Sequence, residues 1–128
     1  MTAPNSPTDL SGQWRDAFNA GDLPRLMAMY EADAVLVPGP GAQPLHGHLA
    51  IQAALTTFIA LHGQLRFTPR HWVGHGDLAL GSVAFTLGGG RDGDGNPVQL
   101  QGTTAEVVRR QPDGTWKYVI DHPFAGEH

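Results

Sequence analysis

The apolar residues in the first half of the chain recur at intervals of three and four, which is the period of a helix with one buried face. The first such stripe consists of Leu10, Trp14, Ala17 and Phe18. Thr8 or Asp9 is expected to cap this helix, because a side-chain oxygen there satisfies free backbone N–H groups. Gly21 is expected to end it, since glycine readily adopts the backbone conformation found after a helix.

Two further helices and a short strand are expected before Gly63. Asp22 caps the second helix, and Pro24 lies in its first turn, where the missing proline N–H costs nothing. A strand at residues 35–37 ends at the proline- and glycine-rich loop 38–41, and a third helix runs from about Leu49 to His62. The buried faces of these helices are expected to contain Leu23, Leu26, Met27 and Tyr30, then Ile51, Ala54, Leu55, Phe58 and Ile59.

After Gly63 the chain is rich in β-branched and aromatic residues, interrupted by clusters of Gly, Asp and Asn. This pattern predicts a meander of antiparallel strands. Helices followed by a sheet give an α+β fold. We expect a flexible tail at residues 1–7 and a single domain at residues 8–125. The expected strands are Leu65 to His75, Asp77 to Leu87, Val98 to Arg110 and Thr115 to Phe124.

The composition narrows the possible partners and location. With 8 Lys and Arg residues and a formal net charge of -4, the chain lacks the dense basic face that nucleic-acid binding requires. No apolar run is long enough to span a membrane, and residues 1–7 lack the features of a secretory signal. The chain contains no cysteine, which fits a reducing compartment. We therefore expect a cytoplasmic protein that binds neither nucleic acid nor membrane.

Short motifs occur along the chain in a characteristic order. They are Gly21-Asp22-Leu23, Tyr30-x-x-Asp33-Ala34, His46-Gly47, Glu106-Val107-Val108-Arg109-Arg110, Asp113-Gly114-Thr115-Trp116 and Ile120-Asp121-His122. Their order and spacing over residues 8–124 resemble the ketosteroid-isomerase-like, or nuclear transport factor 2-like, superfamily, and in particular its small bacterial SnoaL-like members. The resemblance implies three helices packed on a strongly curved, mostly antiparallel sheet that forms a cone with one internal cavity.

The resemblance also bears on the chemistry. In steroid isomerases of this superfamily, an aspartate after the first strand moves a proton beside a carbonyl group. A tyrosine of the first helix and a late acid stabilise the oxyanion. By spacing these positions fall on Pro38, Trp14 and Glu106 here, and proline cannot take a proton. Of the three roles only that of the late acid survives, at Glu106 with Glu in place of Asp, so steroid isomerisation by that mechanism is not expected.

Strand alternation places Glu106 among mostly apolar neighbours. If this face is concave, burial raises the pKa of the carboxyl and suits it to acid or base catalysis. If the face points outward, Glu106 is a surface group near the end of a strand. The neighbours on this face are Val98, Leu100, Thr104 and Val108.

The partner of Glu106 depends on the register of the last hairpin. If residues 111–114 form a four-residue loop, Glu106 lies opposite Val119, and Asp121 becomes its diagonal neighbour on the same face. Two close carboxyls move each other's pKa values apart, which divides acid and base roles. If a glycine bulge shifts the register by one residue, His122 takes that place. Asp121 and His122 point to opposite faces and cannot form a dyad.

Large apolar side chains are candidates for the wall of a ligand cavity. Ordinary core packing also explains each of them singly, except Trp14, which occupies a cavity-facing position in the resembling family. Tyr118 and Trp116 are alternatively expected on the outer sheet face, where relatives pair as homodimers. The candidate ligand-binding residues are Trp14, Phe18, Tyr30, Val37, Phe58, Trp72 and Val119.

The seven histidines form no recognisable ligand set, so we expect no metal site. Three hypotheses for function remain open. The first is a cofactor-free isomerase, cyclase or dehydratase acting on a small apolar carbonyl compound, with Glu106 as acid or base and Asp121 or His122 as its partner. The second is a non-catalytic module that binds a small molecule. The third is a dimeric scaffold domain.

Overall fold

The structure, a computed structural model, describes residues 3–126. Three helices pack against a mostly antiparallel, non-closed sheet, which confirms the predicted α+β class. The sheet order is β2-β1-β7-β6-β4-β3, with β5 also paired to β4, and the β1–β7 pairing is parallel. The elements are α1 Pro7–Asn19, α2 Leu23–Met27, β1 Tyr30–Leu36, β2 Leu45–His46, α3 His48–Ile59, β3 Gln64–His75, β4 Leu78–Arg91, β5 Pro97–Thr103, β6 Ala105–Arg110 and β7 Trp116–His122.

The first helix begins earlier than its sequence suggested. The Ser6 hydroxyl accepts a hydrogen bond from the Asp9 backbone N–H at 3.0 Å, so the prediction of Thr8 or Asp9 as the cap is wrong. Ser6 suits this position because a proline follows it, and proline is favoured in the first helical turn. Within the predicted tail, Pro7 is therefore helical, and the Pro4 carbonyl accepts a hydrogen bond from the N–H of Trp116.

The second helix follows the prediction at its start but not at its end. Asp22 caps it by accepting a hydrogen bond from the Arg25 N–H, and Pro24 lies in the first turn. The helix stops at Met27, and Tyr30 belongs to β1 instead. This strand is longer than the predicted 35–37, because the backbone pairs with β7 from Tyr30 onward. The short strand β2 was not predicted.

The third helix packs on the sheet as expected but ends before His62, which takes a positive φ of 56°. Ile51 and Leu55 are fully buried, and the rest of the predicted stripe packs against the same core. Among residues 3–126, no helix combines the length and the apolar character that a membrane crossing needs.

The predicted strand 98–110 is two strands that separate at Thr104. Residues 84–91 of β4 pair with β5, whereas residues 78–81 of β4 pair with β6. At the break, the Thr104 N–H donates to the Val83 carbonyl, and the Thr104 hydroxyl accepts a hydrogen bond from the Val83 N–H. The buried backbone groups therefore stay paired where the chain passes from β5 to β6.

The register of the last hairpin differs from both predicted alternatives. Arg110 pairs with Trp116, and an irregularity between Val107 and Val108 leaves one extra residue on β7. The hairpin loop shifts the register by one residue and this bulge by a second, so Glu106 lies directly opposite Asp121 rather than opposite Val119. The predicted shared face of the two carboxyls is correct, although the register behind it is not.

Gly81 is expected to be intolerant of any side chain. Its added Cβ would overlap the indole of Trp72, which lies across this part of β4. We expect Gly81→Ala to reduce the free energy of unfolding by about 1–3 kcal/mol, as overpacking does. Gly88→Ala on the same strand is the control, because nothing lies within 4 Å of a Cβ there. Urea unfolding measures both, and equal losses would contradict this packing.

Candidate functional site

A cavity of about 70 Å³ lies between the helices and the inner face of the sheet. Its wall is apolar apart from Thr104, Glu106, Tyr118 and Asp121, which lie on or beside β6 and β7. The two acidic groups therefore face space bounded mainly by hydrocarbon. The apolar lining residues are Trp14, Phe18, Leu36, Leu55, Phe58, Leu65, Phe67, Phe85, Leu87, Leu100, Pro123 and Phe124.

Glu106 projects into this wall from the start of β6. Only 5% of its surface is exposed, and its Oε1 accepts a hydrogen bond from the Thr104 hydroxyl at 3.0 Å. Burial, and then the nearby charge of Asp121, raise the pKa of Glu106 to about 8, while the Thr104 hydrogen bond acts in the opposite direction. The position is therefore on the concave face, and its carboxyl stays protonated at neutral pH.

Asp121 is equally buried but has a different hydrogen-bond partner. The Tyr30 hydroxyl donates to Oδ2 at 2.6 Å, across 91 positions of sequence. Burial raises the pKa of Asp121 to about 6, and the hydrogen bond from Tyr30 lowers it. A donor at this distance stabilises the ionised form, so Asp121 gives up its proton more readily than Glu106.

The two carboxyls lie beside each other on neighbouring strands. They occupy opposite positions on neighbouring antiparallel strands, where Cα atoms are about 4.5–5.5 Å apart. Burial raises the pKa of both carboxyls, that of Glu106 to about 8 and that of Asp121 to about 6, so Asp121 is the first of the pair to ionise. Between these values the pair holds one proton, which resides on Glu106 while Asp121 carries the negative charge.

Aromatic side chains continue the hydrogen-bond chain that ends at Asp121. The Trp14 indole N–H donates to the Tyr30 hydroxyl at 3.1 Å, and the Trp14 ring stacks on Phe18 at a centroid distance of 5.4 Å. Burial, and then the charge of Asp121, raise the pKa of Tyr30 well above its ordinary value, so it acts as a donor. Tyr118 is 2% exposed and lines the cavity. Its predicted outward position is therefore wrong.

The remaining candidates divide into those on the wall and those outside it. Trp14, Phe18 and Phe58 line the cavity, and Tyr30 lies behind Asp121. Val37, Trp72 and Val119 do not line it. Val37 follows β1, Trp72 covers Gly81, and Val119 lies at the bulge of β7.

His122 also lies outside the cavity lining, because it follows Asp121 on the strand and points to the other face. Its Nδ1 is enclosed without a hydrogen-bond partner among the described residues.

Several lining residues were not singled out from the sequence. Phe67 and Phe85 pair across β3 and β4, as do Leu65 and Leu87. The two pairs are two positions apart on each strand, so alternation with a period of two could have assigned these four residues to the inner face. No comparable signal marks Phe124, which packs edge-on against Phe85 from beyond the last strand.

Sequence comparison identifies the family of this architecture. The profile of the SnoaL-like domain matches residues 12–119, which is most of the chain. No curated protein sequence is similar enough to count as a match.

Solved structures share the fold at low sequence identity. A domain of Thiobacillus denitrificans, provisionally named a calcium/calmodulin-dependent protein kinase type II association domain, has a TM-score of 0.77 at 24% identity, covering 95% of this chain and 96% of its own. A conserved protein of Planctomyces limnophilus has a TM-score of 0.79 at 19% identity, with 91% of each chain covered. A ketosteroid isomerase-like protein of Erwinia carotovora atroseptica has a TM-score of 0.72 at 22% identity, covering 90% and 89%. These likenesses confirm the predicted fold, and the SnoaL-like profile confirms the predicted superfamily.

The buried pair makes stability depend on pH. Because the pKa of Glu106 is raised to about 8 in the folded state, unfolding releases its proton at any pH between its ordinary value and 8. The free energy of unfolding should therefore fall as pH rises from 6 to 8, by up to about 1.4 kcal/mol per pH unit. Glu106→Gln should flatten this slope, and Asp33→Asn, at an exposed position of β1, should not. Denaturant unfolding at several pH values measures the slope, and a Glu106→Gln variant with the parent slope would contradict the assignment.

Proposed function

Since the chain belongs to the SnoaL-like domain family, we propose that it is a cofactor-free acid–base catalyst that moves a proton on a small apolar carbonyl compound. One observation supports this most directly: two carboxyls with different pKa values face an apolar cavity from the neighbouring strands β6 and β7. Pairs of titratable groups whose environments separate their pKa values commonly divide the acid and base roles.

The roles follow from which group is charged. At pH 7 ionised Asp121 is the base and takes a proton from the carbon beside the carbonyl group. Protonated Glu106 is the acid and donates to the carbonyl oxygen, where negative charge develops. The apolar wall strengthens both interactions, because charges attract more strongly where water is excluded. This arrangement bypasses Pro38, which stands where steroid isomerases of the superfamily carry their base.

The size of the cavity bears on the substrate. A water needs about 10–15 Å³, so about 70 Å³ holds roughly five waters or a compact molecule of similar size. A monocyclic ketone is therefore a better candidate than a polycyclic one. The same small apolar cavity supports the alternative, a module that binds a small molecule without converting it. Replacing the acid group of Glu106 distinguishes these two functions.

Glu106→Gln should abolish proton transfer but spare binding, because the amide keeps the shape of the side chain and loses only the acid. The probe is exchange of the α-protons of cyclopentanone in D₂O, followed by ¹H NMR, with affinity measured separately by ligand titration. We expect a loss of at least about 10²-fold in exchange rate. Glu31→Gln, outside the cavity, is the control. If the parent protein binds the ketone without exchanging its protons, the binding-module alternative holds instead.

We also propose that the protein forms a homodimer through the outer sheet face. Val73, Leu80, Val107 and Ile120 lie in one row across four strands. Val73, Leu80 and Ile120 are 64%, 53% and 40% exposed, which is high for large apolar residues in register on a sheet. The row supports pairing with a second copy, although not through the predicted Tyr118 and Trp116. A cytoplasmic location stays a prediction from the cysteine-free composition.

Leu80→Glu should convert a dimer into a monomer, because it places a charge at the centre of the proposed interface. Thr86→Glu is the matched control, since it is exposed on the same strand between Arg66 and Gln101. Sedimentation equilibrium measures the mass of both. A monomeric parent protein, or a Leu80→Glu variant that remains dimeric, would refute this interface.

A further inference from the structure

The four carboxylate oxygens of the buried pair are not equivalent. Glu106 Oε1 and Asp121 Oδ2 each accept a hydrogen bond from a hydroxyl group, whereas Oε2 and Oδ1 accept none from the described residues. Among those residues, the side-chain atoms that are fully enclosed without a hydrogen-bond partner are Arg25 Nη2 and His122 Nδ1. Oε2 and Oδ1 are not among them, although they have no partner, so both oxygens border open space. Both side chains line the cavity, and the cavity is therefore the space that these two oxygens face.

The hydrogen bond at Glu106 runs from the Thr104 hydroxyl to the carboxyl. The backbone N–H of Val83 donates to the Thr104 hydroxyl at 2.9 Å, and an amide N–H cannot accept. A hydroxyl can accept two hydrogen bonds, but the Thr104 proton has no acceptor among the described residues other than Glu106 Oε1 at 3.0 Å, so Thr104 is the donor. With the Thr104 proton directed at Oε1, a second proton on that oxygen is disfavoured, which favours Oε2 as the oxygen that carries the acid proton of Glu106.

The hydrogen bond at Asp121 is fixed in the same way. The indole N–H of Trp14 can only donate, and it donates to the Tyr30 hydroxyl at 3.1 Å. Ionised Asp121 has no proton to donate, so Tyr30 directs its own proton to Oδ2 of Asp121 at 2.6 Å. The oxygen left free to accept a new proton is Oδ1.

We infer that Thr104 is a positioning residue that holds the acid proton of Glu106 on Oε2, facing the cavity, while Tyr30, oriented by Trp14, reserves Oδ1 of Asp121 as the accepting atom. This inference rests on the proposed function for its catalytic meaning, but the proton positions themselves do not depend on any reaction. The Thr104 hydroxyl donates to Glu106, so we expect its effect on catalysis to pass through the carboxyl.

The resulting proton transfers balance. A C–H bond beside the substrate carbonyl breaks as an O–H bond forms on Oδ1. The Oε2–H bond breaks as an O–H bond forms on the carbonyl oxygen, which gives an enol. The pair still holds one proton, which is now the proton taken from the substrate carbon and lies on Asp121, while Glu106 is ionised. Return of the proton from Oδ1 to carbon, and of the enol proton to Oε2, restores the starting state.

The other groups around Glu106 do not compete for this proton. Tyr118 on β7 and Tyr30 on β1 are buried phenols with raised pKa values, and Gly81 is the residue opposite Glu106 on β4. No cationic side chain lines the cavity within residues 3–126. Asp121 is therefore the one ionised group that faces Glu106 from the elements packed around it.

Neutron diffraction of the unaltered protein near pH 7 tests the inference directly. This pH lies between the pKa values of about 6 and about 8, so the pair should carry a single deuteron. We expect it on Oε2, with the Thr104 deuteron pointing to Oε1 and the Tyr30 deuteron pointing to Oδ2. A deuteron on Oε1, or a Thr104 deuteron directed elsewhere, would overturn the inference. The result needs no turnover, so it stands apart from success or failure of the proposed reaction.

Variants of Thr104 test its effect on the chemistry. Thr104→Ser keeps the hydroxyl and should retain the exchange rate within about twofold, whereas Thr104→Val should lower kcat about tenfold with little change in KM. Loss of the Thr104 donor should also raise the pKa of Glu106 and so move the high-pH limb of the rate profile to higher pH. A purely structural role would not shift this limb. Thr86→Val is the matched control on an exposed strand position. An unchanged profile in a folded Thr104→Val variant would overturn the role, and if that variant does not fold, the neutron experiment decides.

Discussion

The structure depends on one electrostatic constraint: two carboxyls share an apolar cavity without a cation on its wall, within the part of the chain that the structure describes. A carboxylate in such surroundings is costly unless hydrogen bonds stabilise it or a proton neutralises it. Here Asp121 is stabilised by Tyr30 and Glu106 is neutralised by a proton. The pair is tolerated because one carboxyl is ionised and hydrogen-bonded while the other is neutral. This difference in protonation gives the cavity an acid and a base.

The fold supplies the asymmetry through two interruptions of regular structure. At the break between β5 and β6, the Thr104 N–H and hydroxyl both bond to the Val83 backbone, and the hydroxyl also donates to Glu106. The bulge on β7, together with the register of the hairpin loop, brings Asp121 directly opposite Glu106. The parallel pairing of β1 with β7 then places Tyr30 where its hydroxyl reaches Asp121, and the first helix adds Trp14 behind it. Irregularities of this kind often mark functional sites.

The sequence predicted the architecture well because its signals are local. Asp22 and Pro24 marked a helix start, and alternation placed Glu106, Thr104 and Val108 on one buried face. The choice between Asp121 and His122 could not be predicted, because a bulge leaves no reliable signal in a single sequence. The link from Tyr30 to Asp121 was also hidden. Helical spacing assigned Tyr30 to α2, whereas strand pairing with distant residues determines its position.

The most direct test of this account is the titration of the Glu106 side-chain carboxyl in the ligand-free parent protein, followed by ¹³C NMR. The account requires a midpoint of about 8, well above the ordinary value of 4.5, with a separate and lower transition for Asp121. A midpoint for Glu106 near 4.5 would mean that the carboxyl is solvated. The cavity would then hold no neutral acid at physiological pH, and the assignment of acid and base roles would be contradicted.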